Sequence, residues 1–248
     1  MLSVSRYNLA KIRLLHLLEE LKANSVETGT LCIPPGTSEK DIDGMMRESL
    51  DAKTMPEDLP VSIAQSATGG IIFWGSNHWY LVMPPFPVEK ASFFNTCEIE
   101  PLHSLLHKEF ILGLIIVRLG EYGVGVFQGE DLLSSKVGTG LVHSRHRQGG
   151  SSSNRFERHR DKQKETFFTR VCLHTREQLE PFAGRLDYVV YGGAPETIMD
   201  FRKQCHFLRE FDKKTLDRLL DLKEANHTGL LEGIQEAWSS RVIQWNVK

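Results

Sequence analysis

Phe110-Ile-Leu-Gly-Leu-Ile-Ile-Val-Arg118 carries no polar side chain before its final arginine. A run so apolar and β-branched, and too short for a core helix, predicts a central strand covered on both faces. Gly123-Val-Gly-Val-Phe-Gln128 lies at hairpin distance as its partner, and Leu186-Asp-Tyr-Val-Val-Tyr191 reads as a further strand ended by Gly192-Gly193. Between these strands, about Arg155 to Leu179 has the polarity of a long surface helix, with Asn154 as a candidate N-cap and Glu157 in a capping-box position. Pro195 suits the first turn of a helix running to about Lys203. Two more helices, Lys213 to Ala225 and Leu230 to Val242, are expected to finish the chain. Strands interleaved with helices place the chain in the α/β class. The glycines at 123, 125 and 129 lie in a strand pattern and open no helix, which argues against a dinucleotide or phosphate loop.

Upstream, Leu9, Ile12, Leu15, Leu18 and Leu21 predict an amphipathic helix over Tyr7 to Lys22. Gly29 to Gly36 reads as a short buried strand stopped by two prolines, and Ser38 as the N-cap of a helix over Glu39 to Leu50. A hairpin joins Gly70–Trp74 to His78–Met83 through Gly75-Ser-Asn77. Pro84, Pro85 and Pro87 close this part, and Glu100 to His107 bridges to the next. The expected organisation is two domains, 1–105 and 106–248, each a mixed β-sheet packed with helices. The 248 residues suffice for two such cores.

Charge is distributed unevenly. His143 to Lys164 (HSRHRQGGSSSNRFERHRDKQK) holds seven Lys/Arg against two acids, an excess of +5. The whole chain stands at −2, so the remainder sums to −7. Such asymmetry marks a polyanion-binding element on an acidic body. At its centre, Gly149-Gly150-Ser151-Ser152-Ser153 has no side chain large enough to pack. No apolar run approaches the roughly 18–20 residues of a membrane span. Charged residues from Arg6 to Glu20 interrupt any secretion-signal pattern. Cys32, Cys97, Cys172 and Cys205 show no C-x-x-C spacing, so neither a zinc site nor a disulfide framework is suggested, and a reducing cytoplasm is the expected compartment. His143, His146 and His159 cluster near the tip, but surrounding arginines repel a cation and no acid or Cys completes a ligand set. Neither a metal nor a cofactor is expected.

Several stretches together resemble the archaeal and eukaryotic class I peptide-chain release factors and their rescue relatives. Leu31-Cys-Ile-Pro-Pro-Gly36, Val82-Met-Pro-Pro-Phe-Pro-Val88 and Leu102-His-Ser-Leu-Leu106 resemble their first domain. Gly149-Gly150 with Arg155-Phe-Glu-Arg158 is similar to the Gly-Gly-Gln loop and Arg-Phe-x-Arg helix start of their middle domain, which Tyr191-Gly192-Gly193 continues. The stop-codon-reading Asn-Ile-Lys-Ser loop is missing, and Thr37 to Gly69 is too short to carry it. Phe93-Phe-Asn-Thr-Cys97 stands where the Tyr-x-Cys motif is expected, and the chain stops at Lys248 without the GTPase-engaging third domain. Within that superfamily the chain most resembles the release-factor-like peptidyl-tRNA hydrolases of ribosome quality control, the Vms-like and ANKZF-like branch.

The resemblance implies codon-independent hydrolysis of peptidyl-tRNA on stalled ribosomes or large subunits. The implied partners are the peptidyl transferase centre, peptidyl-tRNA and ribosomal RNA, with neither membrane nor DNA. Its implied catalytic tip is Gly149, Gly150 and Ser151, with Gln148 as the only nearby Gln ahead of the helix. Arg145, His146, Arg147, Arg155, Arg158 and Arg160 would contact RNA. The family Gln is replaced by Ser151, which leaves alternatives open. The backbone N–H of Ser151 suffices while Gln148 or Ser152 positions water, or the factor is non-enzymatic and only binds the ribosome. A third reading is a nuclease of the tRNA 3′ end. No Asp–His pair supports Ser151 as a nucleophile. The plainest alternative is that Gly149 to Ser153 is a flexible linker and Arg155, Arg158 and Lys162 an ordinary solvated helix face.

Overall fold

The computed structural model describes residues 2–23, 29–49, 55–75, 78–142 and 153–247. The chain begins with β1 (Leu2–Leu9), α1 (Lys11–Ala23), β2 (Gly29–Ile33), α2 (Glu39–Ser49) and α3 (Leu59–Ala64). Next come β3 (Gly70–Trp74), β4 (His78–Met83), β5 (Ser92–Phe94), α4 (Glu100–Leu106), β6 (Ile111–Arg118), β7 (Glu121–Gln128) and β8 (Asp131–Thr139). The long α5 (Ser153–Leu179) leads to β9 (Tyr188–Gly192), α6 (Pro195–Gln204), a 3-10 run over His206–Lys214, β10 (Thr215–Leu220), α7 (His227–Ala237) and β11 (Ser240–Val247). These elements make an α/β protein of two helix-packed sheets in two compact units, Met1–Lys108 with Trp238–Lys248, and Glu109–Ala237.

The first unit is built on the sheet β1-β11-β4-β3-β2-β5, whose neighbours pair antiparallel. One face buries Leu31, Ile72, Leu81, Ile243 and Trp245 against Ile42 and Met46 of α2 and Leu59 and Ile63 of α3. The helix α2 starts where Ser38 places it: the Ser38 Oγ accepts the Asp41 N–H at 3.2 Å. Asp58, just ahead of α3, accepts from the Trp245 indole Nε1 at 3.0 Å and from Arg6 at 2.8 Å, tying α3 to β11 and β1.

Two corrections arise in this unit. The first helix begins at Lys11, because Leu2–Leu9 pairs residue by residue with Ser240–Val247. Its buried face is Leu14, Leu18 and Leu21, one helical face at i, i+4 and i+7, while Ile12 is 63% exposed. The helix expected over Leu230 to Val242 ends at Ala237, and Ser240–Val247, placed by the sequence reading in a second domain reaching 248, forms β11 between β1 and β4. Val242, Ile243 and Trp245 are β-forming residues with a buried slot waiting in the first sheet.

In the second unit the sheet order is β10-β9-β6-β7-β8, with β9 parallel to both β6 and β10, and β6, β7 and β8 antiparallel. The strand β6 is central, and Leu112 to Val117 are buried on both faces. Ile115 and Val117 face a core shared with Val124 and Val126 of β7 and with Phe167, Phe168 and Val171 of α5. The other face receives α7. A Cβ on Gly123 would lie 2.9 Å from the Ala225 carbonyl oxygen, and one on Gly233 would lie 2.9 Å from Leu114. The glycines of β7 thus serve close helix-on-sheet packing.

The 3-10 run and β10 replace the helix expected from Lys213 to Ala225. Leu216 and Leu220, four apart and both buried, share a face in a helix and equally in a strand, and pairing with β9 decides the matter. The helix α7 starts earlier than Leu230, because the Asn226 side chain accepts the Gly229 N–H at 3.0 Å as an N-cap. Edge strand β8, mostly exposed, carried too little alternation to be expected from sequence.

Gly193 turns the chain from β9 into α6 with φ of +124°, and a Cβ there would meet the Val117 carbonyl oxygen at 2.3 Å. Both strain and collision oppose any side chain. Gly193→Ala should therefore lower stability by about 2–3 kcal/mol, read as a shift in the denaturation midpoint. An unchanged midpoint would mean that the turn relaxes freely.

Candidate functional site

In sequence the basic segment follows β8 and runs into α5. From the end of β8, Gly140 runs so close to α5 that a Cβ on it would lie 2.5 Å from the Phe167 ring, and Val142 packs on the second core. Residues 143–152 connect this point to the start of α5. Of the expected site residues, Arg145, His146, Arg147, Gln148, Gly149, Gly150 and Ser151 lie outside the described residues. Arg155 is in the helical backbone of α5. Arg158 and His159 are exposed and Arg160 is half-buried on the same helix. The helix begins at Ser153, so Asn154, expected as its N-cap, falls inside the first turn.

Spanning 27 residues, α5 has two distinct halves. Its later part packs: Phe167, Phe168, Val171 and Leu179 are buried, and Tyr122 of β7 stacks on His174 with ring centroids 5.8 Å apart. Between Glu157 and Thr166 no side chain is buried. From Ser153 to Gln163 the helix extends for roughly 16 Å at 1.5 Å per residue. No acid occupies its first turn, and Arg155, Arg158 and Arg160 crowd the first two turns. A helix N-terminus already carries about half a positive charge, so stability alone would favour Asp or Glu there. The arrangement sacrifices local helix energy to concentrate positive potential at the start of α5, which suits a polyanion.

The packed half is secured to α6 at three successive levels. Lys164 Nζ bonds Asp200 Oδ2 at 2.5 Å. The Gln204 amide donates to the Glu165 carbonyl at 2.8 Å and to Thr169 Oγ1 at 2.9 Å. Cys172 and Cys205 are joined by a disulfide, with Cα atoms 5.4 Å apart. The disulfide corrects the sequence reading, which saw only scattered cysteines. A separation of 33 residues contains no pairing signal until α5 and α6 are laid side by side. Cys32 and Cys97 are free. Asp200, Gln204 and Cys205, which position the helix, were not identified from sequence for the same reason. The Lys164 ammonium holds the Asp200 carboxyl below the ordinary aspartate range.

Among the described residues no group of three His, Cys, Asp or Glu side chains could hold a metal ion, and no helix is long and apolar enough to cross a membrane.

A family model described as the Actinobacteria/chloroflexi VLRF1 release factor matches residues 111–243, which covers nearly all of the second unit. Peptide chain release factor subunit 1 of Archaeoglobus fulgidus is 26% identical over 257 residues, covering 91% of this chain and 62% of that protein. The same-named protein of Picrophilus torridus is 25% identical, covering 95% and 63% respectively. This chain thus spans less than two thirds of the length of these relatives. Among solved structures, that of the archaeal translation termination factor aRF1 is 20% identical with a TM-score of 0.42, covering 92% of this chain and 70% of that one.

The Lys164–Asp200 pair predicts a pH dependence. Asp200 is a carboxylate whose folded-state pKa is depressed, so its contribution is complete above the unfolded value of about 4 and fades as pH falls through the folded value. With both side chains partly exposed, that contribution is at most about 1 kcal/mol. Asp200→Asn should cost that much at pH 7 and almost nothing near pH 2, measured by denaturation at both values. An equal cost at both would assign the effect to packing.

Proposed function

The chain belongs to the Actinobacteria/chloroflexi VLRF1 release factor family, and from that premise we propose that it is a codon-independent ribosome rescue factor. It hydrolyses the ester between nascent peptide and tRNA on stalled ribosomes or large subunits, acting in the cytoplasm as a member of the Vms-like and ANKZF-like branch. The observation that carries this reading is the charge-crowded start of α5, which follows Gly149-Gly150 in sequence, in the unit that the family model matches.

The chemistry follows from what a thin probe brings to a site lined by RNA. Arg145, His146, Arg147, Arg155, Arg158 and Arg160 engage phosphates and orient the tip. Gly149 and Gly150 let the backbone pass between nucleotides in conformations closed to other residues. Water attacks the ester carbonyl carbon, forming one C–O bond. The carbonyl oxygen takes up the charge, and the N–H of Ser151 donates to it or to the departing oxygen. Collapse breaks the bond to the 3′ oxygen of the terminal adenosine, which takes a proton originating from the water. The products are a free peptide acid and an intact tRNA. Gln148 or Ser152 positions the water in place of the family Gln. A binding-only role is the second reading, favoured by Ser151 at that position.

Purified stalled ribosome–nascent-chain complexes test this directly. The expected products are free peptide and tRNA with its 3′ end intact, at a rate indifferent to the A-site codon. Peptide still bearing nucleotides would establish cleavage of the tRNA 3′ end. Dependence on UAA, UAG or UGA would overturn the rescue assignment, and binding without release would establish the second reading.

A further inference from the structure

Away from the start of α5, the second unit contains another cationic feature. The helix α6, the 3-10 run after it and edge strand β10 enclose a groove of about 710 Å³, within the roughly 300–1,000 Å³ range of small-ligand sites. Four cations line it, Arg202, Lys203, Arg209 and Arg218, against two acids, Asp212 and Asp217. This excess of +2 stands out, because everything outside residues 143–164 sums to −7. Lys203 and Arg209 are exposed at the rim. Arg202 is already oriented, its guanidinium 2.8 Å from Asp212 Oδ1 and 5.0 Å from the centre of the Tyr191 ring.

The groove also offers apolar surface. Met199 and Leu219 line it while 52% and 37% exposed. At the floor the buried Tyr191 hydroxyl lies beside the Thr215 hydroxyl, which donates to the Phe211 carbonyl at 3.0 Å and can still accept from the phenol. Burial pushes the Tyr191 phenol up to about 12 against the opposing pulls of Arg202 and the Thr215 hydroxyl, so it stays protonated at neutral pH.

Cations at the rim beside an apolar shelf suit a phosphate joined to a flat base. We propose that this groove holds one nucleotide of a single-stranded RNA, with the phosphate on Lys203 and Arg209 and the base over Met199 and Leu219. An added peptide strand is the poorer occupant. Pairing between β10 and β9 shifts register between Thr215 and Leu219, and an irregular edge is a weak template for strand addition. The site goes beyond the release reading and does not depend on it, because it requires neither the glycine tip nor a ribosome.

The test is fluorescence anisotropy of a labelled uridine hexamer across a salt series. The protein carries Arg145→Gln, Arg147→Gln, Arg155→Gln, Arg158→Gln and Arg160→Gln, so that the basic segment contributes little. Adding Lys203→Gln and Arg209→Gln should weaken binding and make the slope of log affinity against log salt shallower by about 1.4, at 0.7 per lost phosphate contact on a single strand. Both positions are exposed, so the unfolding midpoint should not move. Restoring charge with Lys203→Arg and Arg209→Lys should recover the slope, and a fold defect would not be rescued this way. An unchanged slope would overturn the site. Uridine monophosphate should displace the hexamer only weakly. Displacement at equal concentration would make the ligand a free nucleotide and overturn the assignment to RNA. Absence of peptide release by the unsubstituted protein with this slope intact would overturn the rescue reading alone.

Discussion

Packing of the second half of α5 against β6, β7 and α6 makes the exposed first half possible. Phe167, Phe168, Val171 and Leu179 are buried there, each worth about 1.5–3 kcal/mol relative to exposure. Cationic side chains opposing the helix dipole cost about 0.3–1 kcal/mol each, so packing outweighs them with margin. A short basic helix at this position would fray, since isolated helices below about 12–15 residues are marginal in water. Anchored over Lys164 to Leu179, α5 continues as one helix through its arginine-bearing first turns. The ties to α6 at Asp200, Gln204 and Cys205 then fix the position of the packed half.

The same core accounts for what was legible in the sequence. The run Phe110–Arg118 announced a central strand because burial on both faces leaves no room for polar residues, and β6 is that strand. Ser38, Pro195 and the hairpin at Gly70–Met83 were readable for local reasons: a cap, a fixed φ and two short apolar strands joined by a turn. Misreadings occurred where one pattern satisfies two geometries. Leu216 and Leu220 fit a helix or a strand, and only the edge of β9 selects between them. Leu2–Leu9 and Ser240–Val247 lie at opposite ends of the chain, so neither announces that it will pair with the other. The charged stretch of the site was legible because charge density needs no fold to be noticed. Its supports on α6 were not, since they exist only as contacts across 33 to 39 residues.

Return of β11 to the first sheet also changes the meaning of the two units. The second is an insertion in sequence between α4 and β11 of the first, and each of its ends continues into a strand or helix of that unit. Deleting residues beyond Ala237 would remove the strand between β1 and β4, together with Trp245 and its bond to Asp58. The matched family region, 111–243, therefore ends inside a strand that belongs to the other sheet.

In the proposed mechanism the backbone at Gly149-Gly150 performs the chemistry while the arginines only bind. Measuring single-turnover peptide release and ribosome co-sedimentation in parallel for wild type and Gly150→Ala separates these roles. The account predicts that release is abolished while co-sedimentation is unchanged, because the added Cβ closes positive-φ conformations and thickens the probe without touching a charge. Release that continues at the wild-type rate in Gly150→Ala would contradict it.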